Sequence, residues 1–237
     1  MSSTVLRYMA MFFMLLDHMW ATLVPGNNWM TYVGRMAMPI FAFLVSEGYV
    51  HTRNLKKYKL RLLVFGLISE IPFNLMVSGS VIFPFHQNVM FTLLLGLFAI
   101  ERVDSVKKNR TPKAICKNIL LLVGICILSV ITFVDYNFTG VMTVLLFYIL
   151  RDVKFAPVWQ LAGMILINIV LRKGLYIPIT IGTFTFQFIT QGFAICSLLF
   201  IWLYNGEKGC SKKWVQYFAY AFYPLHMLVL YLIWLML

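Results

Sequence analysis

Residues 7–20 read RYMAMFFMLLDHMW, an apolar run of membrane-helix character that holds an aspartate and a histidine side by side. Ionisable groups in hydrocarbon cost roughly 2.5 kcal/mol or more each on insertion scales, so Asp17 and His18 are a functional hypothesis by default. Helix geometry sharpens it. Arg7 and His18 lie eleven residues apart, within about 20° of three full turns and separated by ~16.5 Å of rise, so they share one face. That face runs from a cationic rim to a buried imidazole. The plainer alternative is a snorkelling Arg7 with Asp17 and His18 hydrogen-bonded inside a bundle.

Outward from this stretch the chain stays apolar. Of 237 residues, 61% are hydrophobic and 12% charged, more than one soluble core hides, which points to a polytopic all-α membrane bundle. The alternation that a closed barrel needs is absent. No basic segment followed by a small-residue cleavage site opens the sequence, so the first span is expected to be retained. Twenty Lys and Arg against eight Asp and Glu give a net charge of +12, read as an orientation signal rather than a nucleic-acid surface. Cys116, Cys126, Cys196 and Cys210 show no CxxC spacing, so neither a zinc site nor a disulfide framework is expected.

Hydropathy and breakers predict about nine spans, at roughly 5–24, 31–50, 60–79, 84–101, 117–134, 139–150, 155–171, 177–204 and 214–236. The eighth opens with YIPITIGTF, whose Pro178 and Gly182 suit a bent or re-entrant segment. Loop 51–61 carries five Lys/Arg and 101–117 carries six, whereas 77–88 and 135–138 carry none. The basic loops are therefore expected in the cytoplasm, together with the N-terminus, Arg151, Lys154, Lys208, Lys212 and Lys213. Arg172 and Lys173 fall on the wrong side.

Intramembrane polarity concentrates in the first four spans. Arg35 in TYVGRMAMPIF is expected at a depth comparable to His18, able to pair with Asp17 or to donate to a carbonyl under attack. Glu47 reads as the rim partner of a nearby lysine. Glu70 and Asn74 share a helical face beside Pro72, and Asn88, Thr92 and Gly96 form a stripe suited to helix packing. Later spans are plainer, with Tyr223, Pro224 and His226 in FYPLH as the exception. A histidine beside a carboxylate has the parts of a general base and its orienting partner. No Ser or Cys sits at helical spacing from His18, which favours direct attack by a bound acceptor, and no HExxH or comparable metal-ligand spacing occurs.

The stretch GRMAMPIFAFLVSEGYVHTRNLKKYKLRLLVFGLISEIPFNL at 34–75, with MLLDH at 14–18, NVMFTLLLGL at 88–97 and FYPLH at 222–226, resembles the TraX family, named after a protein linked to N-terminal acetylation of F pilin. The resemblance covers most of the chain and is densest in the first hundred residues. Met38 stands where the family carries phenylalanine before Pro-Ile-Phe. The broader transmembrane acyltransferases with which the family is grouped carry Arg or Lys, ten residues, then His in the first span, as Arg7 and His18 do here. The resemblance implies acyl transfer from a cytoplasmic donor, commonly acetyl-CoA, with His18 as the catalytic residue.

The expectation is thus one transmembrane acyltransferase-like domain over 1–237, multi-pass in a bacterial cell membrane. His18 would act as base with Asp17, Arg35 and Glu70 in support. Arg7, His51, Arg53, Lys57, Asn74 and Asn88 would serve the acyl-CoA, and in the 51–61 loop His51, Arg53, Lys56, Lys57, Lys59 and Arg61 would meet its phosphates. Arg53 and Lys57, four residues apart, are the preferred pair. The acceptor stays open among a pilin amine, a surface-polysaccharide hydroxyl and a small metabolite. The competing reading is a proton-coupled transporter relaying through Asp17, His18 and Glu70, disfavoured because no internal repeat is visible.

Overall fold

The computed structural model describes residues 1–210 and 212–237, and it is dominated by helices. In chain order these are α1 (Ser3–Thr22), α2 (Trp29–Gly34), α3 (Ala37–His51), α4 (Leu55–Ser78), α5 (Val89–Lys108), α6 (Pro112–Ile131), α7 (Asn137–Ile149) and α8 (Ala156–Ile165). A π-helical turn (Leu166–Leu171) extends α8. Strands β1 (Tyr176–Ile181) and β2 (Phe184–Ile189) follow, then a 3-10 segment (Thr190–Cys196), α9 (Ser197–Ile201) and α10 (Lys213–Met236). Side chains cap several helix starts: Asn54 accepts from the Lys57 amide at 2.9 Å and Asn88 from that of Met90 at 3.0 Å.

Helix α1 is central, packed on α2, α3 and α10, while α4 lies against α5 and α10, and α5 against α6 and α7. The core between them is aliphatic and aromatic, with Leu6, Ile40, Leu97, Val144, Phe147 and Met227 fully buried. Gly96 meets the Val144 side chain where α5 crosses α7. Among the described residues, three helical stretches are long and apolar enough to cross a membrane: Leu55–Ser78, Pro112–Ile131 and Tyr217–Met236. The protein is a helical membrane protein. On α6 the large apolar side chains Ile119, Leu120, Ile127 and Ile131 are exposed, as a lipid-facing helix requires.

Two expected spans take other forms. Residues 31–50 are not one helix, because the chain breaks at Arg35 and Met36 between α2 and α3. The expected eighth span, 177–204, begins as an antiparallel hairpin, with Pro178 paired to Gln187 and Thr180 to Thr185. YIPITI and FTFQFI are rich in β-branched and aromatic residues and are joined by Gly182-Thr183, with Gly182 at φ +61°. That is two-residue hairpin chemistry, which hydropathy does not distinguish from an apolar helix.

Candidate functional site

Polar side chains collect at two ends of α1. At the end nearer Thr22, His18 Nδ1 lies 2.7 Å from Nε2 of His226 on α10. The rings are 3° from parallel with centroids 5.0 Å apart, a separation that accommodates the N···N contact plus one ring radius on each side. They therefore meet edge to edge in nearly one plane, as a ring N–H···N bond requires. The tautomers follow by deduction. His226 Nδ1 is 2.8 Å from the Phe222 carbonyl oxygen, which only accepts, so this nitrogen carries the proton. Neutral His226 then has a bare Nε2, His18 Nδ1 donates to it, and His18 Nε2 keeps its lone pair. The second histidine thus fixes the first with a free proton-accepting nitrogen.

Asp17 does not orient His18, contrary to the sequence expectation. Its Oδ1 accepts from Thr31 Oγ1 at 2.7 Å and from Arg35 Nη2 at 3.2 Å, and Arg35 also donates to Thr31 Oγ1 from Nε at 3.2 Å and from Nη2 at 3.0 Å. Consecutive helical residues diverge by about 100°, so a neighbour in sequence faces another helix. The α1–α2 approach that permits this triangle depends on Gly34, where an added Cβ would stand 2.4 Å from Asp17 Cβ.

The carboxylate within electrostatic reach of His18 that the sequence reading passed over is Asp135, between α6 and α7. Its turn is tightly held, with positive φ at Phe133, Tyr136 and Asn137, a bond from the Asp135 amide to Gln87 O of 2.8 Å, and Thr92 Oγ1 donating to the Asp135 carbonyl. Non-glycine residues in this region cluster where surrounding structure over-determines them, often at functional sites. His86 Nε2 sits 3.5 Å from Asp135 Oδ1. The hydrogen bond to Asp135 raises the His86 pKa above 6.5. Burial would lift the Asp135 carboxyl, but the His86 bond and the charge of Arg172 hold it below its ordinary value. Arg172, a topological misfit in sequence, lies 4.3 Å over the Tyr136 ring and donates to Thr139 Oγ1 at 3.2 Å, so it belongs to this cluster.

Glu70 accepts from Asn88 Nδ2 at 2.5 Å and leaves Oε1 buried without a partner among the described residues. Asn74 donates to Val81 O at 3.1 Å. Asn74 and Asn88 are thus engaged near the loop joining α4 to α5, away from the basic end and from the donor role expected of them.

At the other end of α1 a cavity of about 680 Å³ is lined by Arg7, His51, Arg53, Arg61 and Lys208, with Glu47 its acid. A smaller cavity of about 90 Å³ shares Arg7, Leu44, Tyr58 and Tyr220 with it and adds Phe41, Leu62, Met90 and Leu93. A cationic vestibule therefore narrows into an apolar slot beside α1 and α10, the two helices that carry His18 and His226. Arg61 Nε is buried there without a protein partner among the described residues. Lys57 does not line the vestibule. Arg53 precedes the Asn54 cap, so the two never share a helical face. Lys59 is bound to Glu101 at 2.9 Å. Glu47 pairs with Arg151 at 2.8 Å, an arginine distant in sequence rather than a neighbouring lysine.

His226 is the main residue that sequence reasoning left out of the site, and its one signal was the polar FYPLH in an otherwise plain helix. Compared with known proteins, residues 2–234 match the family model described as TraX protein. A probable fimbrial assembly protein FimC, serogroup H1, of Dichelobacter nodosus is 26% identical over 242 residues, covering 97% of this chain and 94% of the relative. No solved structure gives a significant match.

Proposed function

The chain belongs to the TraX family, and from that premise we propose that it is a membrane-embedded acyltransferase, taking an acetyl group from cytoplasmic acetyl-CoA to an acceptor at or beyond the membrane. The observation that carries the reading is the vestibule and slot joined at Arg7, on the α1 face that also holds His18. An anionic head with a long thin arm suits this shape. Arg7, Arg53, Arg61 and Lys208 would meet the phosphates, and Phe41, Leu44 and Leu93 would flank the arm.

In the reaction, His18 Nε2 takes the proton of the acceptor's amine or hydroxyl as that group attacks the thioester carbonyl. The new acyl bond forms, the carbon–sulfur bond breaks, and the departing thiolate collects the proton from His18. His226 holds the imidazole in the required tautomer. Asp135 favours the transient imidazolium, and Arg35, fixed by Asp17 and Thr31, supplies fixed positive charge near the acceptor side. Glu70 supports the site through Asn88. The orientation is N-terminus inside, with about nine crossings. The relative's name concerns fimbrial assembly, which makes a surface-fibre subunit the first acceptor to try and a surface polysaccharide the second.

The test is transfer of label from radiolabelled acetyl-CoA to a membrane extract by purified protein in lipid, wild type against His18→Ala of equal thermal stability. Transfer lost in the variant alone is the expected result. If neither protein binds nor consumes the donor, while wild type but not His18→Ala discharges a pH gradient across proteoliposomes, the acyltransferase reading fails and proton-coupled transport replaces it.

A further inference from the structure

A second basic cavity lies outside the site, where the last turns of α5 meet the first turns of α6. It has a volume of about 340 Å³ and is lined by Arg102, Lys113 and Lys117 with Ser105, Asn109 and Thr111 among its polar walls. Among the described residues none of the three cations has a hydrogen-bonded or ionic protein partner, and no carboxylate lines the cavity. The nearby acids are already engaged, Glu101 by Lys59 at 2.9 Å and Asp104 by Lys108 at 2.8 Å. Three like charges gathered without a counterion repel one another, and a bound anion relieves that repulsion.

Position says which anion. The cavity sits at the cytoplasmic end, in the proposed orientation, of Pro112–Ile131, the least buried of the three membrane-length stretches. Below it the exposed Ile119, Leu120, Val123 and Ile127 run continuously down α6. A cationic cavity at headgroup level above an apolar stripe matches a phospholipid, whose phosphate and chains are joined in the same order. We propose that this cavity binds the phosphate headgroup of an anionic phospholipid, its acyl chains lying along α6. The shared chemistry is phosphate, which a soluble phosphate compound also presents. The apolar stripe is what favours the lipid.

The site is independent of the catalytic reading and its test reads no activity. Full-length protein is reconstituted in phosphatidylcholine vesicles with or without phosphatidylglycerol, extracted, and weighed with its retained lipid by native mass spectrometry. The comparison is wild type, the cavity variant R102Q/K113Q/K117Q, and a control, K107Q/R110Q/K154Q, that removes equal charge from positions off the lining. The expected result is phosphatidylglycerol retained by wild type and control, with apparent affinity weakened by roughly fivefold per cation removed in the cavity variant. Equal retention by all three, or equal loss from the control, overturns the proposal by reducing it to general surface charge. Thermal protection by inorganic phosphate without selectivity for phosphatidylglycerol also overturns it, assigning the cavity to a soluble phosphate compound.

Discussion

His18 and His226 stand 208 residues apart in sequence and 2.7 Å apart in space, joined through Nδ1 of the first and Nε2 of the second. The bond works in one direction only, since the single ring N–H of neutral His226 donates to the Phe222 carbonyl and leaves Nε2 to accept. A change at His226 should therefore act through the His18 tautomer. We expect His226→Ala to lower kcat by about 10²-fold, within the range of general-base contributions, with little change in the donor KM. His226→Gln, whose amide oxygen can accept the His18 N–H, should recover part of the loss. Steady-state kinetics on variants of matched thermal stability decide it, and unchanged kcat in both would reduce the pair to packing.

The Asp17–Arg35 pair, with side chains about a fifth exposed, shares Thr31 as a common partner. Removing either charge strands the other in a largely dry place. Asp17→Ala or Arg35→Ala should each cost about 2–3 kcal/mol, at or below the low end for a broken buried pair given the residual exposure, and the double variant should cost less than the sum. Unfolding of the four proteins in one detergent gives the coupling energy. Additive losses would mean that the two charges do not interact.

Gly34 is where α2 lies closest to Asp17, and a methyl group there meets Cβ at 2.4 Å and backbone Cα at 2.9 Å. Neither atom is the far end of a flexible side chain, so the helices must part. Gly34→Ala is expected to destabilise by about 1–3 kcal/mol as an overpacking change and to loosen the Asp17–Arg35 bond. A melting temperature at or above wild type would show that the crossing has slack.

Legibility in the sequence followed the range of the signal. Helices rest on local hydropathy and caps, and α1, α4, α5 and α6 lie where the apolar runs put them. Arg7 is legible as a cavity residue because its relation to His18 is intrahelical. Partnerships are not local. Asp17 is adjacent to His18 in sequence yet faces α2, while His226, Asp135 and Arg172 reach the site from later elements whose arrival no spacing rule announces. The β1–β2 hairpin was hidden for another reason: a run of Ile, Thr and Phe is apolar in either secondary structure, and only Gly182-Thr183 signalled the turn.

The His86–Asp135 pair, in loops outside the spanning helices, makes stability depend on pH with a sign that can be worked out. His86 is raised above 6.5, chiefly by its bond to Asp135, so its contribution is full below that ordinary value and is lost as pH rises through the raised one. Asp135 is depressed below 3.8, so its contribution is full above that value and is lost as pH falls through the lowered one. Both are charged together between about pH 4 and 6.5. His86 is more than a third exposed, so the pair is worth only about 0.5 kcal/mol after screening. His86→Gln should therefore melt below wild type in that window, and the gap should close in mildly alkaline buffer. Melting curves of both proteins across pH 4 to 9 decide it, and a gap that stays constant would show that the contact is a neutral hydrogen bond.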